Sequence, residues 1–95
     1  MTMQRNESLE LLRQQHAFPG PFDFRVVVRK GTSASVVSAM VAAAGAGALV
    51  KDVQKRMSSK GSYEALVVSM HIGSAELVLD VYSLVGNLSD VVTAM

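Results

Sequence analysis

The sequence contains no cysteine, and this absence excludes several kinds of chemistry. Disulfides, thiolate nucleophiles, iron–sulfur clusters and zinc sites built on cysteine all need that residue. A chain without cysteine is compatible with a reducing compartment, and we expect a cytoplasmic protein.

A strong excess of charge of either sign is also missing. The chain has 9 lysines and arginines against 8 aspartates and glutamates, which gives a formal net charge of +1 at pH 7. Domains that bind nucleic acid usually carry a pronounced basic excess. The composition therefore argues against a nucleic-acid partner, although it leaves a local basic patch open.

Long hydrophobic runs are scarce as well. The N-terminal residues are mostly polar and lack the apolar core of a secretory signal. The most apolar stretch, residues 33–50, is interrupted by Gly45 and Gly47. A run this short and interrupted is not expected to cross a bilayer, so we expect no membrane association.

The residues that are present have the composition of one small globular domain. Of the 95 residues, 49% are hydrophobic and 18% are charged, a balance typical of folded chains. A chain of this length buries roughly two-thirds of its unfolded surface. We therefore expect a single hydrophobic core.

The apolar pattern predicts four strands and three helices. The first strand, residues 22–30, alternates: Phe22, Phe24, Val26 and Val28 face one way, and Asp23, Arg25, Val27 and Arg29 face the other. This period of two is typical of a half-buried strand. The remaining strands are predicted at residues 48–57, 63–72 and 89–95, and the helices at residues 6–16, between Gly31 and Gly45, and at residues 75–85.

Two of these elements have weaker patterns. Residues 48–57 break strict alternation, which is typical of an edge strand with a bulge. The first helix, with Asn6 as its N-cap, has only a narrow apolar stripe that includes Leu9 and Leu12. A solvated N-terminal arm is the alternative.

A helix followed by βαββαβ predicts an α+β, ferredoxin-like plait. Short connections and right-handed crossovers give a four-stranded antiparallel sheet in the order 4-1-3-2, with two helices on one face. We divide the chain into an N-terminal helix or arm at residues 1–17 and the ferredoxin-like domain at residues 18–95. The second sheet face is then open, or it is covered by the N-terminal helix or a partner.

The open sheet face is one candidate site. Its predicted interface residues on the two central strands are Arg25, Val27, Arg29, Ala65, Val67 and Ser69. A small apolar patch with a polar rim is the usual composition of a protein interface. The competing interpretation is that the N-terminal helix folds over this patch and covers it with Leu9 and Leu12.

The turn between the second and third strands is the other candidate site. Its candidate partner or anion contacts are Ser58, Ser59, Lys60, Gly61 and Tyr63. A phosphate-binding P-loop has its lysine after the glycine and lies between a strand and a helix. Here the lysine precedes the glycine and strands flank the turn, so a structural turn is favoured over an anion site.

Residues for catalysis or metal binding are not clustered in the sequence. The chain has two histidines: His16 lies in the N-terminal segment, and His71 ends a strand five residues before Glu76. A surface histidine with a nearby carboxylate is usually a solvated pair. The carboxylates are scattered, and no metal-ligand spacing is present. We therefore expect no enzyme activity, no metal and no cofactor.

A set of motif residues gives a resemblance to a known family. The set consists of Phe18-Pro19 before the first strand, Phe22 and Phe24 within it, Ser58-Ser59-Lys60-Gly61-x-Tyr63 at the hairpin, and then Tyr82, Gly86 and Val91. On these residues the chain resembles the YbeD-like family of small bacterial domains of unknown function (domain of unknown function 493), over about residues 17–95.

The resemblance implies a βαββαβ domain similar to the ACT regulatory domains of amino-acid metabolism, but no established activity. Two features depart from these patterns. The glycine-rich ligand loop that ACT domains have after the first strand is reduced here to Gly31. Met57 stands where a proline often precedes the two serines.

These observations lead to one hypothesis and two alternatives. The hypothesis is a small non-enzymatic binding or regulatory domain that acts through protein–protein contact, with itself or another protein. The first alternative is an ACT-type domain that senses an amino acid or another metabolite. The second is RNA binding, because the same plait hosts RNA-recognition domains; however, the outward positions after Tyr63 are Ala65, Val67 and Ser69, which offer no stacking rings.

Overall fold

A computed structural model of the chain describes residues 4–45, 47–58 and 60–94. Within these residues, the helices and strands follow one another in the predicted order. The elements are α1 (Arg5–Gln15), β1 (Gly20–Arg29), α2 (Ser33–Ala44), β2 (Leu49–Met57), β3 (Tyr63–Ile72), α3 (Ala75–Gly86) and β4 (Val91–Ala94). The predicted end of the last strand, Met95, lies outside the described residues.

The four strands form one antiparallel sheet in the order β2-β3-β1-β4. This is the predicted order read from the other edge, so the α+β, ferredoxin-like fold is confirmed. The central strands β1 and β3 pair along their whole length, from Gly20 opposite Ile72 to Arg29 opposite Tyr63. None of the helices in the described residues is long and apolar enough to span a bilayer.

Local sequence signals account for some of the helix boundaries. The Ser74 hydroxyl accepts a hydrogen bond from the Leu77 amide at 3.3 Å and caps α3. Gly45 ends α2 with φ 90°, a conformation that glycine adopts without steric cost. The prediction of Asn6 as N-cap is wrong: α1 begins earlier, and Gln4 is in the cap position without a side-chain cap hydrogen bond.

The core lies between the sheet and the helices. It contains the inward side chains of β1 and β3 and the apolar faces of α2 and α3. Phe24 is fully buried, and its ring centroid lies 4.9 Å from that of Phe22 and 5.2 Å from that of Tyr82. Such aromatic pairs add to the stabilisation that comes from buried apolar area.

The bulge predicted for the second strand is confirmed. The register of β2 against β3 shifts between Val50 and Asp52. Val50 is opposite the buried Met70 before the shift, and Val53 is opposite the buried Val68 after it. The inward side therefore changes from even to odd residue numbers, which explains why strict alternation fails in this strand.

Helix α1 packs on the helix side of the sheet, against α3. Arg5 pairs with Asp80 at 3.1 Å, Arg13 pairs with Glu76 at 2.9 Å, and Leu9 is buried. The predicted alternative in which this helix covers the second sheet face is therefore wrong, because the apolar stripe of α1 is occupied by the helix layer.

Candidate functional site

The sheet face turned away from the helices is the candidate functional site, and we call it the open face. Strand pairing sets its side chains in rows across the sheet. From the N-terminal end of β1, the rows are Leu49–His71–Pro21, Asp52–Ser69–Asp23, Gln54–Val67–Arg25, Arg56–Ala65–Val27–Thr93 and Tyr63–Arg29. All six residues predicted for the sheet-face interface therefore lie together in this one surface.

The centre of the open face is apolar. Val27 and Val67 are partly exposed, and Ala65 is exposed. Val27 is directly opposite Ala65, and Val67 is one row further along β3. Charged or polar side chains surround this patch on β1 and β2, so it has the arrangement of a small interface with a polar rim.

Strand β2 adds three residues that the sequence prediction missed. Asp52, Gln54 and Arg56 lie beside Ser69, Val67 and Ala65, in that order. After the bulge, the sequence of β2 does alternate with a period of two. Which of its side chains face the open side could be predicted only if the position of the extra residue was known. Arg56 and Gln54 line a shallow depression together with Arg25, Lys55, Ala65 and Val67.

The charges of the open face are separated along the strands. Arg25, Arg29 and Arg56 lie from the middle of the face toward the hairpin, whereas Asp23 and Asp52 share a single row on the other side of Arg25. Since Ser69 is between the two aspartates, neither carboxylate has an arginine in its own row. The open face is thus a dipolar surface around an apolar centre.

The predicted hairpin site forms a closed turn whose polar groups largely bond to one another. The Gly61 amide donates to the Ser58 carbonyl at 2.9 Å, and the Tyr63 amide donates to the Ser58 hydroxyl at 3.2 Å. Gly61 has φ 72°. Lys60 is exposed, and Ser59 lies outside the described residues. These bonds use amides that an anion would need, so the geometry favours a structural role for the turn.

Glu64 is an important residue that the sequence analysis did not single out. It is only 4% exposed, although it is charged. Its Oε1 accepts a hydrogen bond from the Gly31 amide at 2.9 Å, and its Oε2 lies 3.3 Å from Lys55 Nζ. The Gly31 amide, followed by Lys55, holds the pKa of Glu64 below its usual value. The sequence feature that could have indicated this buried pair is the position of a glutamate on the inward side of β3.

The two residues considered for acid–base chemistry are separated by the sheet. His71 is opposite Pro21 on the open face, whereas Glu76 belongs to α3 and pairs with Arg13 on the helix side. The pKa of Glu76 is lowered by its own backbone amide and by Arg13. In the described part of the chain, no group of three or more His, Cys, Asp or Glu residues is placed to hold a metal ion.

Near the N-terminal end of β1, a second shallow depression is lined by His16, Pro21, Phe22, Asp23, Arg25 and Tyr82. Burial raises the pKa of the Tyr82 phenol, and Arg25 opposes that rise. Arg25 therefore lines both depressions and lies within electrostatic reach of Tyr82.

The comparison with protein families gives a match over residues 13–95 to the model described as protein of unknown function, DUF493. The chain belongs to this family. The match covers β1 to β4 and part of α1, so the family corresponds to the whole plait. No curated protein and no solved structure matches the chain.

Several residues behind the DUF493 resemblance support the fold in this structure. Phe18 packs against the core, and Tyr82 packs on Phe24. Ser58 and Gly61 close the hairpin through the bonds described above. The motif residues thus account for the plait, while the open face has to be interpreted from its own chemistry.

Proposed function

We propose that this chain is a small non-enzymatic domain that regulates or assembles other components through protein–protein contact at the open face. The observation that carries the proposal is the position of α1. This helix packs on α3, so Val27, Ala65 and Val67 remain accessible on the two central strands. An accessible apolar centre with a charged rim fits a protein partner.

The chemistry of the open face supports a protein partner over a nucleic acid. Its aromatic side chain is Tyr63, at 39% exposure, while the three phenylalanines and Tyr82 pack in or against the core. RNA-recognition plaits stack several bases on aromatic residues of this face. With one ring, and with two aspartates in a separate row, the open face is a poor surface for a polyanion.

The environment of Gly31 argues against an ACT-type ligand loop after β1. Its amide already donates to the carboxylate of Glu64 at 2.9 Å. A free amino acid would have to present its own carboxylate to such amides and displace a protein carboxylate that also pairs with Lys55. We therefore favour macromolecular contact over metabolite sensing.

Site-specific photo-crosslinking in the source cell tests the proposal. A photoreactive amino acid replaces Ala65 on the open face or, as the matched control, Ala42, which is an exposed alanine on α2. We expect a covalent protein adduct from position 65 and no such adduct from position 42. The absence of any adduct from position 65, or the same adducts from both positions, would contradict the proposal.

A further inference from the structure

The charge pattern of β1 on the open face is self-complementary. Along β1, the side chains on the open face are Asp23, Arg25, Val27 and Arg29, in that order. A carboxylate therefore lies at one end of this series and a guanidinium at the other. Along β2 the order is Asp52, Gln54 and Arg56. Both strands therefore have their acidic residue at the same end of the sheet.

A second copy of the chain can satisfy the charges of Asp23 and Arg29, whereas Arg56 comes to lie over Gln54 and Asp52 gains no charged residue opposite it on β2. A two-fold axis that lies between two facing sheets and runs across the strands reverses the strand direction of the second copy. If the axis passes between Arg25 and Val27, Asp23 of each copy lies opposite Arg29 of the other, and Arg25 lies over Val27. A two-fold interface is isologous, so the same contact is made twice.

The position of Arg29 is compatible with this contact. Its Nε donates weakly to the Ser89 carbonyl at 3.4 Å, which places the side chain near the start of β4. A guanidinium has five N–H donors, so its remaining nitrogens are available to a carboxylate. The apolar side chains Val27, Ala65 and Val67 then lie at the centre of the contact, where exclusion of water has the largest effect.

The size of the open face is sufficient for a modest dimer. The β1–β3 ladder has ten residue pairs and is about 33 Å long at the usual strand rise. The sheet is four strands wide, about 19 Å at the usual spacing, only where the four-residue strand β4 pairs with β1; elsewhere it is three strands wide. This footprint lies below the ~800 Å² per partner of standard interfaces and is in the range of weak association.

We infer that the partner of the open face is a second copy of this chain, packed sheet to sheet about this two-fold axis. The inference rests on the proposed function, and it names the partner and the orientation. Sheets that pack face to face keep their strands within about 30° of alignment. The small apolar centre and the exposed charge pairs make this a micromolar dimer that weakens with salt.

Charge reversal tests the orientation. Asp23→Arg places arginine opposite arginine in the dimer, and Arg29→Asp places aspartate opposite aspartate. Sedimentation equilibrium should therefore show that each variant alone dimerises at least about tenfold less tightly than the wild type. An equimolar mixture of the two variants restores both pairs, because one partner then contributes two arginines and the other two aspartates. The mixture should recover most of the wild-type affinity.

Three results would overturn the inference. The wild-type chain is a monomer up to millimolar concentration, or its dimer is insensitive to both reversals, or the mixture remains as weak as the single variants. The crosslinking experiment separates this failure from failure of the proposed function. An adduct from position 65 to a different protein, with a monomeric wild-type chain, leaves the proposed function standing and rejects the second copy.

Discussion

The two faces of the sheet use the same strands in opposite ways. On the covered face, Phe24, Val28 and Val68 are completely buried under α2 and α3. On the open face, their neighbours Arg25, Val27 and Val67 remain accessible. The comparison shows that every second side chain of each central strand contributes to the core. The side chains between them remain exposed on the open face.

The difference between the faces extends to their charged residues. The covered face contains one buried carboxylate in the described residues, that of Glu64, and its partners are Gly31 and Lys55. The carboxylates of the open face, Asp23 and Asp52, face solvent in a row with Ser69. The carboxylate on the covered face is therefore paired within the fold, whereas the carboxylates on the open face are accessible to solvent.

The largest effect is expected from a change on the covered face. Phe24→Ala removes a fully buried ring that packs on Phe22 and Tyr82. Substitutions of this kind leave a cavity and cost about 3–5 kcal/mol of the free energy of unfolding. Chemical denaturation monitored by circular dichroism measures the loss. A value below about 1 kcal/mol would show that the aromatic cluster does not support the core as described.

An intermediate effect is expected at Glu64, and it depends on pH. The folded state lowers the pKa of this carboxyl below its ordinary value of 4.5. Its contribution to stability is therefore present above about pH 4.5 and is lost as the pH falls through the lower folded-state value. Glu64→Gln should lower the melting temperature at pH 7 and should remove this part of the acid dependence.

Melting curves of the wild type and of Glu64→Gln between pH 3 and pH 7 test this expectation. Asp52→Asn is a suitable control, because Asp52 is exposed on the edge strand. If the wild type and Glu64→Gln lose stability in parallel as the pH falls, the paired carboxylate is not the source of the acid dependence.

A smaller effect is expected where α1 meets α3. Arg5→Ala removes the ion pair with Asp80, in which both side chains are about half exposed. Exposed pairs contribute at most about 1 kcal/mol, and salt screens them. The difference in unfolding free energy between wild type and variant should shrink in 1 M salt. A difference that is larger and independent of salt would contradict a purely electrostatic contact.

The smallest effect on folding, with a large effect on association, is expected on the open face. Val67→Glu introduces a carboxylate at the apolar centre and should change the free energy of unfolding by about 0.5 kcal/mol or less. It should abolish association in light scattering. Ala42→Glu adds the same charge to α2 and should leave association unchanged. Equal behaviour of the two variants would reject the open face as the contact surface.

Much of the fold was predictable from local patterns. The alternation in residues 22–30, the helix caps and the glycines gave the order of elements, and short connections then gave the sheet order. The path of β2 after its bulge was harder to predict, because one extra residue reverses the direction of every later side chain. For this reason Asp52, Gln54 and Arg56 were missed.

The position of α1 and the role of Glu64 could not be read from local pattern. The stripe of Leu9 and Leu12 fits either side of the sheet, and the residues that α1 contacts on the helix side, Asp80 and Glu76 among them, are distant in sequence. Glu64 on the inward side of a strand indicated a buried partner, but the identity of that partner, the Gly31 amide, depends on the tertiary structure.

The central claim is that the covered face of the sheet forms the core and the open face contacts a partner. Methyl NMR of the chain labelled at valine and alanine tests this claim most directly. Spectra of the dilute free chain are compared with spectra of its complex, whether that complex is the dimer or contains the crosslinked partner. We expect the signals of Val27, Ala65 and Val67 to shift strongly while those of Val28 and Val68 hardly change. Shifts confined to the valines of α2 and α3, with the open-face signals unchanged, would contradict the account.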